Sequence, residues 1–194
     1  AGTGSAALYA RTAPGGTSPL LNLEHSQDSD LTEPYLRRGA APTRGTYDYR
    51  YSELNAADHS ILVPLATPGD WYILVYGDQI AAPADFAILA VANNVFLTSI
   101  TPDNYGTNSL VTETIHGAGF LPGAQVQLVG PDMTIYTATS TEVDSYSQIT
   151  ARFDLTGVAE GNYDVRLTMP ESAGDILPAA FKVTPAGAAK LETR

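Results

Sequence analysis

The stretch Asp70-Trp71-Tyr72-Ile73-Leu74-Val75-Tyr76 decides how this chain is read. Successive residues of a strand point to opposite faces, so Trp71, Ile73 and Val75 share one face and Tyr72, Leu74 and Tyr76 the other. Pro68-Gly69 supplies a turn before the run and Gly77-Asp78 one after it. Asp85-Phe86-Ala87-Ile88-Leu89-Ala90-Val91 reads as the next strand and is expected to close a hairpin with the first. Trp71 shares its face with Ile73 and Val75 and is therefore expected in the core.

The same grammar runs outward in both directions. No stretch sustains the 3.6-residue period of a helix. Short apolar alternation bounded by turn residues recurs instead, with 13 Pro and 17 Gly spread along the chain. Upstream, Ala7-Leu8-Tyr9-Ala10 reads as an early strand. Downstream, Ala92-Asn93-Asn94 makes a short polar break, and further strands are expected near 95–101, 110–116, 124–129, 134–140, 148–155, 162–169 and 180–184. That number of short strands in about ninety residues is the count of an immunoglobulin-like sandwich. The expected fold class is all-β, two tandem β-sandwiches covering 1–92 and 93–185. Residues 186–194 are expected to form a linker or tail.

Composition bounds the chemistry. The chain has 194 residues, 44% of them apolar and 16% charged, enough apolar material for folded cores. Cysteine is absent, which excludes disulfides, thiolate metal sites and thiol nucleophiles. The three histidines (His25, His59, His116) are scattered and never form an HExxH pair. Ten basic residues against 21 acidic ones leave a net charge of −11, divided evenly between the two halves. Such a surface repels phosphate backbones and anionic lipid, so neither nucleic acid nor a membrane surface is an expected partner. No apolar run reaches the ~20 residues that span a bilayer, and the first residues lack the pattern of a signal peptide. The segment begins and ends without a clear boundary and is expected to be a piece of a longer, exported bacterial chain.

Two families are resembled. In the second half, the residues are Leu97-Thr98-Ser99-Ile100-Thr101-Pro102, then Ile115-His116-Gly117-Ala118-Gly119-Phe120-Leu121-Pro122-Gly123-Ala124-Gln125-Val126, then Gly161-Asn162-Tyr163-Asp164-Val165-Arg166-Leu167, and finally Ala180-Phe181-Lys182-Val183. This series resembles an IPT/TIG-type immunoglobulin-like domain. Gly117 and Gly119 allow a bend at a strand end, Phe120 folds into the core, and Pro122-Gly123 turns toward the next strand. Asp103 to Asn108 departs from the plainer glycine-rich turn of that family. In the first half, Tyr35 to Arg50 followed by Pro68 to Gly77 resembles a bacterial pre-peptidase C-terminal (PPC) domain, which implies an antiparallel jelly-roll-like sandwich. The likeness covers about 25–91 and weakens upstream, where the domain reads as truncated. Glu33-Pro34 stands where the family has Asp-Leu before the tyrosine.

Candidate chemistry is sparse. A GxSxG elbow, a P-loop and a GxGxxG strand–helix unit are all missing, and Gly117-Ala118-Gly119 sits between expected strands. No catalytic residue and no cofactor is therefore expected. Asp28-Ser29-Asp30, with Glu24 and Glu33, is the densest acidic cluster. Hard cations take several oxygen ligands from such loops, and collagen-binding relatives of PPC domains hold calcium near their N-terminal strands, so Asp28 and Asp30 are the candidate metal ligands. The strongest binding candidate is aromatic. Alternation in Thr46-Tyr47-Asp48-Tyr49-Arg50-Tyr51 is expected to set Tyr47, Tyr49 and Tyr51 on one face, with Arg44 and Arg50 beside them. Tyrosine stacks on sugars or fibrous peptides while its hydroxyl hydrogen-bonds, and arginine adds orientation. Tyr72, Tyr76, Arg37 and Arg38 belong to the same set. The expected function is a non-catalytic accessory or spacer module of a secreted or cell-surface protein, its partners the other domains of the parent chain. The alternative is an adhesive module that grips carbohydrate or fibrous protein through this Tyr/Arg face.

Overall fold

A strand that is apolar on one face must bury that face against another sheet, and the described residues form sixteen strands. The computed structural model describes residues 3–4, 6–13, 17–170 and 174–187. Among them no helix occurs. The chain divides into two compact units, Ala1–Asn93 and Asn94–Arg194. The strands of the first are β1 (Ala6–Ala13), β2 (Ser18–His25), β3 (Leu31–Arg38), β4 (Tyr49–Arg50), β5 (His59–Leu62), β6 (Gly69–Gln79) and β7 (Phe86–Asn93). Those of the second are β8 (Phe96–Thr101), β9 (Asn104–Gly106), β10 (Leu110–Ala118), β11 (Gln125–Val129), β12 (Ile135–Thr137), β13 (Ser140–Ser145), β14 (Gln148–Asp154), β15 (Gly161–Thr168) and β16 (Asp175–Thr184).

The first unit packs a four-stranded sheet, order β1-β6-β3-β4, against a three-stranded sheet, order β5-β2-β7. Strand β6 alternates as its sequence dictates: Trp71, Ile73 and Val75 are buried, and Tyr72, Leu74 and Tyr76 are half-buried on the outer face. Leu21 and Leu23 of β2, Leu36 of β3 and Ile61 of β5 close the core over them. The expected hairpin does not form. Both edges of β6 are already taken, by β1 and β3. Strand β7 therefore crosses to the other sheet and pairs with β2, from Ser18↔Asn93 to His25↔Phe86.

The second unit packs β13-β14-β10-β8 against β12-β11-β15-β16-β9. Its core is larger and almost wholly apolar, with Phe120, Phe153 and Phe181 each no more than 1% exposed. Residues 134–140, expected as one strand, form two: β12 pairs with β11 in one sheet and β13 with β14 in the other. The Asp103–Asn108 segment contributes β9, which pairs in parallel with the end of β16 through Lys182↔Asn104 and Thr184↔Gly106. Of the expected tail, Ala186-Gly187 form a turn and 188–194 lie outside the described residues.

Glycine is required where β10 leaves the sheet. The register against β8 shifts between His116 and Gly117. A Cβ on Gly117 would lie 2.0 Å from the Phe96 carbonyl oxygen, and one on Gly119, at φ +83°, would lie 1.8 Å from that of Asn94. This bend delivers Phe120 to the core.

One residue of that core breaks the pattern. Glu113 lies between Val111 and Ile115 on the inward face of β10, opposite Ala151, fully buried, and neither carboxylate oxygen has a hydrogen-bond partner. Burial alone raises its pKa to about 8. The folded unit thus holds a neutral acid, whereas the unfolded chain ionises near ~4.3. Its favourable contribution is complete below that pH and declines as the pH rises toward 8.

Two outcomes follow from these cores. Phe120→Ala and Trp71→Ala each cost about 3–5 kcal/mol in denaturant unfolding, as loss of a large buried aromatic does. A cost below about 1 kcal/mol would place the ring outside its core. Replacing Glu113 by Leu stabilises the second unit by about 2–4 kcal/mol at pH 8 and flattens its alkaline decline; urea titrations at several pH values read both effects.

Candidate functional site

Glu33 organises the outer face of the first unit. It sits in β3 across from Tyr76, and Tyr35 follows two residues on, so both side chains leave the same face of the sheet. The Glu33 carboxylate is 13% exposed and receives four hydrogen bonds. Arg44 binds it as a fork, Nε donating to Oε2 at 2.6 Å and Nη2 to Oε1 at 2.8 Å. The Tyr35 hydroxyl donates to Oε2 at 2.9 Å and the Tyr51 hydroxyl to Oε1 at 3.2 Å. Arg44 also reaches Asp78 Oδ1 at 3.2 Å and lies 4.4 Å over the Tyr76 ring. Burial pushes the Glu33 carboxyl up, but the bonds from Arg44, Tyr35 and Tyr51 outweigh it and hold the pKa below its ordinary value. Tyr35 and Tyr51 are held above theirs, chiefly by burial.

These bonds lash the segment from Gly39 to Tyr51 across the sheet like a strap. At its base, Asp48 Oδ2 accepts the Arg38 N–H at 2.8 Å and the Asp48 N–H donates to the Leu36 carbonyl. The Tyr47 and Tyr51 rings flank Tyr35, with centroids 5.1 and 5.8 Å away, and bury it to 3% exposure.

The expected single face of Tyr47, Tyr49 and Tyr51 is therefore corrected. Period-two alternation needs continuous extended backbone, and only Tyr49–Arg50 is regular strand, because the chain bends at Asp48. Tyr49 turns toward the core and packs on Trp71 at 6.0 Å. Tyr51 is buried, also contacting His59 at 5.3 Å, and is not available as a stacking platform. Arg44 is engaged by Glu33, Asp78 and Tyr76, and acts as an internal fastener. Arg50 is exposed and lies over Tyr47 and Tyr51 at 5.7 and 5.9 Å.

Tyr47 and Tyr49 do come together at an open cleft of about 890 Å³. It is lined by Arg38, Tyr47, Asp48, Tyr49, Asp70, Trp71 and Tyr72. Trp71 spends its N–H on the Thr67 carbonyl at 3.1 Å. Arg38 is held at the rim by two bonds from its guanidinium to the Pro68 carbonyl, at 2.8 and 3.1 Å. The cleft thus offers tyrosine rings and hydroxyls, two carboxylates and a positioned guanidinium, on rigid strand ends and a fastened strap. That is equipment for holding a polar, flat-faced ligand.

The acidic candidates separate. Asp28 is exposed on a turn, whereas Asp30 is 2% exposed with Oδ2 unpartnered. Among the described residues, no three His, Asp or Glu side chains converge on a point that could hold a metal ion. Sequence reasoning missed Glu33 as the hub and Asp70 as a cleft residue. The Glu33-x-Tyr35 spacing on one strand was the available signal for the hub.

Fold and site together define an all-β chain of sandwich-like sheets bearing an aromatic cleft. No family model matches it, and no curated protein does. Among solved structures it is similar to the BSP domain of a biofilm-associated protein, at 8% identity and a TM-score of 0.33, over 88% of this chain and 45% of that one. It is also similar to a DUF4785 family protein from Legionella pneumophila, at 13% identity and a TM-score of 0.30, over 89% and 54%. The chain spans about half the length of both.

The hub has a pH signature. Because the Glu33 pKa is depressed, its contribution is present above the ordinary carboxylate value and lost as the pH falls through the depressed one. Glu33→Gln lowers the stability of the first unit by on the order of 1–2 kcal/mol at neutral pH and weakens its acid-induced loss. Unfolding of the residue 1–93 unit between about pH 3 and pH 7 measures this, and an unchanged acid limb would remove Glu33 from the role.

Proposed function

We propose that this chain is a non-catalytic module of a secreted or cell-surface multidomain protein that holds polysaccharide in the cleft of its first unit. The observation that carries the reading is the cleft itself, an open trough walled by Tyr47, Tyr49 and Tyr72 between Asp48, Asp70 and Arg38. Sugar rings present C–H faces that pack on aromatic rings, and hydroxyls that pair with carboxylates and guanidinium groups. An open trough suits a chain that enters and leaves, and a fastened wall limits the ordering cost of binding.

The role within a larger protein rests on the PPC-like and IPT/TIG-like sequence patterns and on the acidic, cysteine-free composition. Both patterns belong to sandwich domains that accompany other domains. In this reading the second unit spaces and the first unit grips. A single module of this kind binds weakly, and repetition in a parent chain or on a surface multiplies its hold.

The test is retention of the chain on cellulose, chitin, xylan and peptidoglycan, with collagen as the fibrous-protein arm. Retention on at least one glycan is expected. Tyr72→Ala is expected to weaken it about tenfold, the value of one lost stacking contact. Tyr72 lies half-buried on the outer face, so the variant keeps the core intact. Retention on collagen alone would move the reading to fibrous protein. Absence of retention on every polymer would overturn the cleft as a binding site.

A further inference from the structure

Between the two sheets of the first unit runs an apolar groove of about 500 Å³, lined by residues of β1 and β7 together with core residues of both sheets. Its size falls within the roughly 300–1,000 Å³ of small-molecule sites. Leu21, Leu36, Trp71 and Ile73 form its inner part, each no more than 8% exposed. Among these side chains the one polar group, the Trp71 N–H, is already spent on the Thr67 carbonyl, so they offer an entering ligand only apolar surface. Arg11 and Ala92 line the groove too and are exposed, which sets them at its open side. Arg11 stands in register with Trp71, and residues directly opposite on neighbouring strands share a face, so its side chain leaves β1 on the core side of the sheet. It is the one charged residue of the lining, and it forms no ion pair among the described residues. In a chain with 21 acidic residues against 10 basic ones, this groove carries a single charge, and that charge is positive.

We propose that the groove holds a free fatty acid, its alkyl chain between the sheets against Trp71 and Ile73 and its carboxylate on the Arg11 guanidinium. Each half of the ligand is selected by an observation. The inner lining rewards an apolar chain that leaves water. The unpaired guanidinium presents a planar fork that a carboxylate matches with two parallel hydrogen bonds. A cationic amphiphile would meet Arg11 with its own charge, and a neutral one would forgo the charge-assisted bonds. The net charge of −11 opposes contact with an anionic bilayer, and the groove opens between sheets onto buried core residues, which selects a free acid over a lipid in a membrane. The groove and the tyrosine cleft are separate openings, although Trp71 lines both.

Trp71 is the single tryptophan of the chain, so its fluorescence reports on the groove directly. Titration of the full chain with dodecanoate, kept below its micelle-forming concentration, is expected to shift this emission and to saturate at one molecule per chain. Decanoate should bind about tenfold more weakly, the effect of two fewer buried methylenes. Dodecyltrimethylammonium should also bind at least about tenfold more weakly than dodecanoate, and Arg11→Glu should reverse that order. Ala92→Phe narrows the groove from an exposed position and should weaken dodecanoate about tenfold, whereas Tyr72→Ala, which alters the cleft alone, should leave it unchanged. Vesicles of phosphatidylglycerol should not retain the chain in flotation. Circular dichroism of each variant confirms that the sheets remain folded. The absence of a saturable shift would overturn the proposal. So would equal binding of the two amphiphiles of opposite charge, an order that Arg11→Glu leaves as it was, a response lost in Tyr72→Ala, or retention on the vesicles.

Discussion

The Glu33 carboxylate is the constraint on which the outer face of the first unit depends. A strand residue on an outer face would ordinarily be left to solvent. Here a guanidinium fork and two phenol hydroxyls converge on it, and those donors come from β3 and from a segment that would otherwise be a long, free connection. With the strap fastened at Arg44 and Tyr51, Tyr47 and Asp48 become a wall of fixed position and the cleft acquires its shape. Charge-assisted bonds of this geometry are strong because the acceptor is ionised and partly withdrawn from water. The arrangement also explains why tyrosine is so frequent in this stretch: three of its rings pack against one another before any ligand is considered.

The second unit is built on the opposite economy. Its sheets close on an apolar interior with three deeply buried phenylalanines, and its polar exception, Glu113, has no donor to meet it. The two glutamates make an instructive pair. One is partly exposed, satisfied and held low; the other is buried, unsatisfied and raised to about 8. Environment, not residue type, decides which form each unit is built to contain. The units therefore weaken in opposite directions of pH.

Much of the strand pattern was legible because alternation is local. Trp71, Ile73 and Val75 face the core as their spacing dictates, and the Gly117-Ala118-Gly119-Phe120 run bends and buries its aromatic as such a run should. Pairing was less legible, because it is decided by competition between strands distant in sequence. Nothing within 70–91 says that β1 and β3 already occupy both edges of β6. The site was legible in part. Tyr47 and Tyr49 could be singled out by type, but their faces depend on a bend created by the Asp48 bond to Arg38, which alternation assumes away. Arg44 looked like a ligand group because its acceptor, Glu33, lies eleven residues upstream, a partnership that only the folded sheet brings about.

The short parallel ladder between β9 and the end of β16 bears on how the second unit would carry load. Tension entering through β8 and β9 and leaving through β16 pulls on the N-terminal end of one strand and the C-terminal end of its partner. Because the two run in the same direction, they cannot be peeled apart bond by bond from one end. The ladder, extended by the Lys182 N–H to the Asp103 carbonyl and the Thr107 N–H to the Thr184 carbonyl, is instead sheared as a block. Under such tension, the resistance of this ladder would be set by the simultaneous rupture of a few backbone bonds rather than by their loss one at a time.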